Sequence, residues 1–253
     1  MQLHCCQLAP LWEDRPPNCA RVRALVDQTN PARGSLVVLP EMFATGFSMN
    51  IPAIREGMVS ESTTLMGDLA KQYECCVLGG MVHGTRGGLF NQALAMSPMR
   101  RELVRYSKLH LFSPLREEVF ITPGAEVMTF DWEGFRVAPF ICYDLRFPES
   151  FRQAVLMGAT LFTILANWPS VRLEHWITLL KARAIENQAY VVGVNRCGAD
   201  PHAEYPGHSL VISPRGEILG DAGTGEGVLT VEITPEEVAR SRAQFPALRD
   251  ARF

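Results

Sequence analysis

The run Arg136-Val137-Ala138-Pro139-Phe140-Ile141-Cys142-Tyr143-Asp144-Leu145-Arg146-Phe147-Pro148-Glu149 decides how this chain folds. Residues 136–141 read as a strand, and Cys142 stands at its exit. Pro148 suits the first position of a helix, and a helical pattern over 147–157 sets Phe147, Phe151, Ala154 and Val155 on one face. A second strand follows at 160–165. Working outward, further strands are predicted at 3–8, 35–39, 76–82, 190–194, 209–212 and 228–233. Helices are predicted at 18–30, 63–73 and 173–188, and Thr234-Pro235-Glu236-Glu237 carries the cap, proline and glutamate of one more helix start. Strands alternating with helices argue an α/β domain whose sheet faces are covered by helices. No repeat or linker divides the chain, so residues 1–253 are expected to form one domain.

The net charge of −3 comes from interspersed acids and bases, without the basic footprint of a nucleic-acid binder. No apolar run reaches the roughly 18 to 20 residues that span a bilayer. No charged segment leading into an apolar one opens the chain, and a cytoplasmic protein is expected. The seven cysteines are odd in number and include two adjacent pairs, which suits reduced thiols. Neither Cys-x-x-Cys nor His-Glu-x-x-His occurs, so no metal site is expected.

Three positions suggest chemistry. Glu41 follows the strand-like Val37-Val38-Leu39 and Pro40, at the carboxyl edge where open α/β sheets bind ligands. Cys142 repeats that arrangement just ahead of the helix expected at Pro148, whose positive end would favour a thiolate. Lys108 lies among apolar and aromatic neighbours in Tyr106-Ser107-Lys108-Leu109-His110-Leu111-Phe112, costly surroundings for an ammonium unless it snorkels to water. Together the trio fits a thiol hydrolase, with carboxylate as base and ammonium as stabiliser of developing negative charge. A carboxylate alone beside Cys142 would raise the thiol pKa, and Lys108 would lower it.

In order along the chain, Leu39-Pro40-Glu41-Met42-Phe43, Ser107 to Phe112 and Ile141 to Glu149 resemble the Glu, Lys and Cys motifs of the nitrilase superfamily. The resemblance extends through Gly79-Gly80, Asn91, Asn167-Trp168-Pro169, His175-Trp176, Ala182-Arg183-Ala184, Glu186-Asn187-Gln188, Gly207-His208-Ser209 and Pro214-Arg215-Gly216. Phe43 to Phe47 and Asn167 to Pro169 look most like omega-amidases, which hydrolyse the side-chain amide of 2-oxo acids such as 2-oxoglutaramate. The resemblance implies a four-layer α-β-β-α sandwich, assembly into a homodimer or higher homo-oligomer, no cofactor, and a small-molecule amide as substrate. It implies Glu41, Lys108 and Cys142 as catalytic residues, with the backbone N–H of Tyr143 in the oxyanion site. A second glutamate is implied shortly before Pro123-Gly124; Glu117 lies at the matching distance, beside Glu118.

Phe43 and Trp168 are candidates for the pocket wall, and either could be core instead. Arg146 could bind a substrate carboxylate, but its spacing to Glu149 favours a local ion pair. His110 and His175 read as structural histidines. Gly223-Thr224-Gly225-Glu226-Gly227 precedes a strand rather than a helix, and reads as a hairpin turn. Ser209 lacks the glycine-flanked nucleophile elbow of serine hydrolases. Three rival readings stand beside the omega-amidase. One is another amidase or N-carbamoyl hydrolase of the superfamily, one a noncatalytic binding protein, and one a redox thiol protein with Cys197 as resolving partner.

Overall fold

Strand β1 (Gln2–Gln7) alternates between two environments: Leu3 and Cys5 enter a core between two sheets, and Cys6 packs beneath a helical layer. Period-two alternation of this kind requires both faces of a sheet to be covered. The computed structural model describes residues 1–57 and 59–252; Met58 and Phe253 lie outside the described residues. Next along the first sheet come β2 (Leu36–Val38), β3 (Arg55–Glu56), β4 (Cys76–Thr85), β5 (Gly88–Met96) and β6 (Glu102–Ser107). Leu36, Val38, Cys76 and Leu78 share the inner core with Leu3, whereas Val37 and Val77 face Val22 and Val26 of the helix Arg15–Thr29 and Leu65 and Leu69 of the helix Glu61–Gln72.

The second sheet contains β7 (Phe130–Trp132), β8 (Phe135–Ile141), β9 (Leu161–Ala166) and β10 (Tyr190–Asn195). After a small hairpin, β11 (Cys197–Ala199) with β12 (Glu204–Pro206), it is completed by β13 (Leu210–Ile212) and β14 (Ile218–Asp221). Parallel pairing of β8, β9 and β10 requires crossovers, which the helices Pro148–Leu156 and Leu173–Asn187 supply. Phe151, Ala154, Trp176, Leu180 and Ala184 on those helices are buried against this sheet. The chain then returns to the first sheet, where β15 (Gly227–Glu232) pairs antiparallel with β1. The result is the expected four-layer α-β-β-α sandwich.

One expectation about the strands needs correction. The glycine-rich run Gly223 to Gly227 is not a hairpin turn: β14 pairs with β13 and β15 with β1, so the run carries the chain between sheets. Gln7 holds it there, its Nε2 donating to the carbonyls of Gly223 (2.9 Å) and Gly225 (2.6 Å). Strands β5 and β6 were not predicted at all. In β5, Asn91, Gln92, Ala93 and Ala95 interrupt the β-branched pattern by which strands are recognised.

Candidate active site

Both sheets contribute to one buried polar cluster. Glu41 leaves the end of β2, and its backbone is crossed so closely by β4 that a Cβ on Gly80 would lie 2.6 Å from the Glu41 Cα. That contact explains the glycine. The Glu41 carboxylate is 1% exposed and fully occupied. Its Oε1 accepts from Lys108 Nζ (3.0 Å) and Asn91 Nδ2 (2.8 Å), its Oε2 from the Asn167 backbone N–H (3.0 Å) and Nδ2 (3.2 Å). Four donors hold the carboxylate in one orientation.

Lys108 follows β6 and is as deeply buried. Its Nζ also donates to Glu117, 2.9 Å from Oε2 and 3.2 Å from Oε1, and lies 5.1 Å from the centre of the Phe47 ring. Glu117 stands in the short turn Glu117–Val119, accepts from the Phe112 N–H (2.6 Å), and shares Asn91 with Glu41 (3.0 Å). Glu118 is exposed. The second glutamate beside the lysine is therefore Glu117. A Cβ on Gly124 would come within 2.2 Å of the Ser107 carbonyl, so glycine is required for its N–H to reach the Lys108 carbonyl at 2.8 Å. Burial alone would lower the lysine pKa; Glu117 and then Glu41 reverse this and hold it above its ordinary value.

Cys142 follows β8 directly, with φ at 43°, in the left-handed region that non-glycine residues rarely occupy. Met42, next to Glu41, has φ at 45°. Such backbone strain concentrates at functional sites, where surrounding structure holds it in place. Cys142 as a residue is half-buried, and its Sγ lies 3.7 Å from the Asn167 carbonyl. Asp144 braces the turn. Its Oδ2 accepts from Tyr106 Oη (2.7 Å) and the Ile141 N–H (3.0 Å), its Oδ1 from the His110 N–H (2.9 Å), with the His110 ring Nδ1 also at 2.9 Å. These bonds fasten the Lys108 segment to the Cys142 turn.

The thiol differs from expectation. A 3-10 turn, Cys142–Arg146, separates it from the helix that starts at Pro148, so it does not lie at that helix's N-terminus. Burial and then Glu41 push its pKa well above the ordinary value, against the lowering effect of Lys108. The resting group is a neutral thiol that feels the charge of the Glu41 carboxylate.

Cys142, Glu41 and Lys108 lie at a cavity of about 490 Å³, walled largely by apolar and aromatic side chains that include Phe47, Phe112, Tyr143 and Trp168. Trp168 lines it as expected, although only 2% exposed, with its indole N–H on the Arg172 carbonyl at 2.8 Å. Phe43 does not line it. That ring packs into the core between the first sheet and its helices, in contact range of Gly79, because the turn after Glu41 directs it inward. Arg146 also departs from expectation: in place of an ion pair with Glu149, its guanidinium lies 4.8 Å over the Trp168 ring with Nη2 3.3 Å from His175 Nδ1, on the cavity wall. Asn91 and Asn167 received no role from sequence. The available signal was an asparagine in or beside strands where that residue is disfavoured.

All seven cysteines are free, and among the described residues no group of three or more His, Cys, Asp or Glu could hold a metal. Among those residues no helix is long and apolar enough to cross a membrane. Cys197 is buried, and desolvation raises its pKa, an unfavourable setting for a resolving thiol.

The two-sheet sandwich is that of known carbon-nitrogen hydrolases, and here a carboxylate, an ammonium and a thiol meet at one cleft. Residues 3–243 match the carbon-nitrogen hydrolase family. The chain is 34% identical to the "Hydrolase in agr operon" of Staphylococcus aureus over 258 aligned residues, covering 100% of this chain and 98% of that one. It is 36% identical to Omega-amidase YafV of Escherichia coli K12 (95% of this chain, 93% of that one). Identity to the 2-oxoglutaramate amidase of Bacillus subtilis is 33% (86% and 85%). A crystal structure of a CN-hydrolase superfamily protein from Xanthomonas campestris, with an arsenic adduct in its active site, superposes with a TM-score of 0.95 at 33% identity, covering 100% of this chain and 97% of that one. This chain belongs to the carbon-nitrogen hydrolase family of the nitrilase superfamily, and within it resembles the omega-amidases.

Proposed function

We propose that the protein is an omega-amidase, hydrolysing the side-chain amide of 2-oxoglutaramate or 2-oxosuccinamate to the acid and ammonia. The Lys108 ammonium fixed between two carboxylates beside the Cys142 thiol supports amide hydrolysis, and the similarity to Omega-amidase YafV and the 2-oxoglutaramate amidase of Bacillus subtilis supports the substrate class. Glu41 takes the thiol proton as sulfur attacks the amide carbon. The oxyanion is stabilised by Lys108 Nζ and by the Tyr143 N–H, which stands in the first turn of a 3-10 segment, where N–H groups lack intrahelical partners. Protonated Glu41 gives its proton to the departing nitrogen, the C–N bond breaks, and ammonia leaves a thioester on Cys142. Glu41 then deprotonates water, which attacks the thioester; the C–S bond breaks, the proton returns to sulfur, and the acid departs. Glu117 and Asn91 keep Lys108 and Glu41 in register throughout.

Assembly into a homodimer belongs to the same proposal. Leu156, Met157, Ile185 and Phe245 expose apolar surface on or beside the helices of the second sheet. Light scattering on a Leu156→Glu, Ile185→Glu protein should report a monomer if those helices associate.

The test of function is ammonia release from 2-oxoglutaramate, 2-oxosuccinamate, glutamine, a simple nitrile and an N-carbamoyl amino acid, comparing wild type with Cys142→Ala. Turnover confined to the two oxo-acid amides and lost in the variant is expected. Activity only on the carbamoyl or nitrile compound would overturn the substrate while keeping the chemistry.

A further inference from the structure

Three cationic side chains line the cavity, Lys108, Arg146 and Arg172, against two carboxylates, Glu41 and Glu204. Lys108 is engaged by Glu41 and, behind the cavity wall, by Glu117, so its charge is more than matched within its own cluster. That leaves two guanidiniums facing one exposed carboxylate, and among the described residues neither arginine has an acidic partner within ion-pairing distance. Arg146 is steadied by the Trp168 ring and His175. Arg172 is half-buried, closes the short turn Ser170–Arg172, and holds its guanidinium 5.7 Å over the Phe112 ring.

The path of the chain makes Arg172 part of the machinery. Asn167, Trp168 and Arg172 belong to one segment leaving β9. Asn167 holds the Glu41 carboxylate and offers its carbonyl to Cys142, and Trp168 fixes the Arg172 carbonyl through its indole N–H. The base, the thiol and Arg172 are thus referenced to the same six residues. A partly desolvated arginine without a counter-ion in a mainly apolar cavity is unfavourable until an anion arrives, and its fork geometry suits a carboxylate.

The geometry points to Arg172 as a specificity-determining residue that, with Arg146, receives the anionic end of the substrate and restricts the enzyme to amides bearing a carboxylate remote from the scissile bond. The inference rests on the omega-amidase reading for the identity of that substrate, and its test separates the two. The kcat/KM ratio for 2-oxoglutaramate over neutral butanamide is measured in wild type, Arg172→Ala and Arg172→Lys. Binding of 2-oxoglutarate to Cys142→Ala, with and without Arg172→Ala, is followed by calorimetry.

The ratio should fall roughly 10- to 100-fold in Arg172→Ala, mostly through KM, with partial recovery in Arg172→Lys, and 2-oxoglutarate affinity should fall by a similar factor. An unchanged ratio together with unchanged 2-oxoglutarate affinity overturns the role of Arg172. If wild type leaves 2-oxoglutaramate intact while Arg172 still governs 2-oxoglutarate binding, the omega-amidase reading fails and the anion receptor stands.

Discussion

Two buried ion clusters lie near the same cavity and are built differently. In the first, one ammonium serves two carboxylates: Lys108 bonds Glu41 at 3.0 Å and Glu117 at 2.9 Å, and all three side chains are at most 1% exposed. In the second, one guanidinium serves one carboxylate: Arg196 bonds Asp200 at 3.1 Å, Tyr205 Oη donates to Asp200 at 2.7 Å, and the guanidinium rests 4.2 Å over the Tyr205 ring. The second cluster is balanced, and it anchors the β11–β12 hairpin to the end of β10. The first carries surplus negative charge next to a thiol. Charge balance favours a structural role, whereas an unbalanced buried cluster retains a group that can accept a proton.

The comparison is tested first where the largest effect is expected. Cys142→Ala should abolish turnover, and Lys108→Met should lower kcat by at least about 10²- to 10³-fold, the usual cost of losing one oxyanion donor. Steady-state ammonia assays with circular dichroism as a fold control check this; substantial activity in Lys108→Met would remove the lysine from the mechanism. Asp200→Ala strands the Arg196 charge and should cost about 3 to 5 kcal/mol of stability in urea unfolding, a loss far larger in proportion than its effect on kcat. If instead activity collapses while stability is unchanged, the hairpin cluster is functional and the contrast fails.

Glu41→Gln sharpens the contrast at the thiol. After burial, Glu41 is the largest influence raising the Cys142 pKa, so its neutralisation should lower the apparent pKa of iodoacetamide labelling. An upward move would mean that the hydrogen bonds of Glu41 outweigh its charge.

The smallest effect is expected at His4, a buried group outside both clusters. Burial lowers its pKa to about 4, and its Nδ1 lies 2.9 Å from Thr230 Oγ1. The folded state favours the neutral ring. The contribution is therefore fully present above the unfolded value near 6.5 and is lost as pH falls towards about 4. Between pH 7 and pH 4.5, wild type should lose about 1 to 3 kcal/mol more than His4→Asn in urea titrations. Equal losses would assign the acid sensitivity elsewhere.

The alternation of strands and helices was legible from the residues themselves, whereas the two-sheet sandwich and the grouping of Glu41, Lys108 and Cys142 followed from the resemblance of three ordered motifs to the nitrilase superfamily. Periodicity also located most helices within a few residues. Asn91 was less accessible, since its function depends on β5 and β6 pairing beside Glu41, and β5 lacks the expected composition. The position of Phe43 depended on a positive φ at Met42, which nothing in the side-chain pattern announces. Arg146 and Arg172 acquire meaning only when Trp168 and Phe112 supply the rings beneath them. Spacing does pair Arg183 with Glu186 and Arg196 with Asp200, but at Arg146 the nearby Trp168 ring takes the place of the partner that spacing suggests.

The return of β15 to β1 has a consequence for the birth of the molecule. Along the chain β1 precedes the whole second sheet, but its antiparallel neighbour appears only with residues 227–232. Until then that edge carries unpaired backbone groups and must wait through the synthesis of the entire second sheet. Throughout the synthesis of residues 8–226 that flank therefore stays open, and β15 closes it like a clasp.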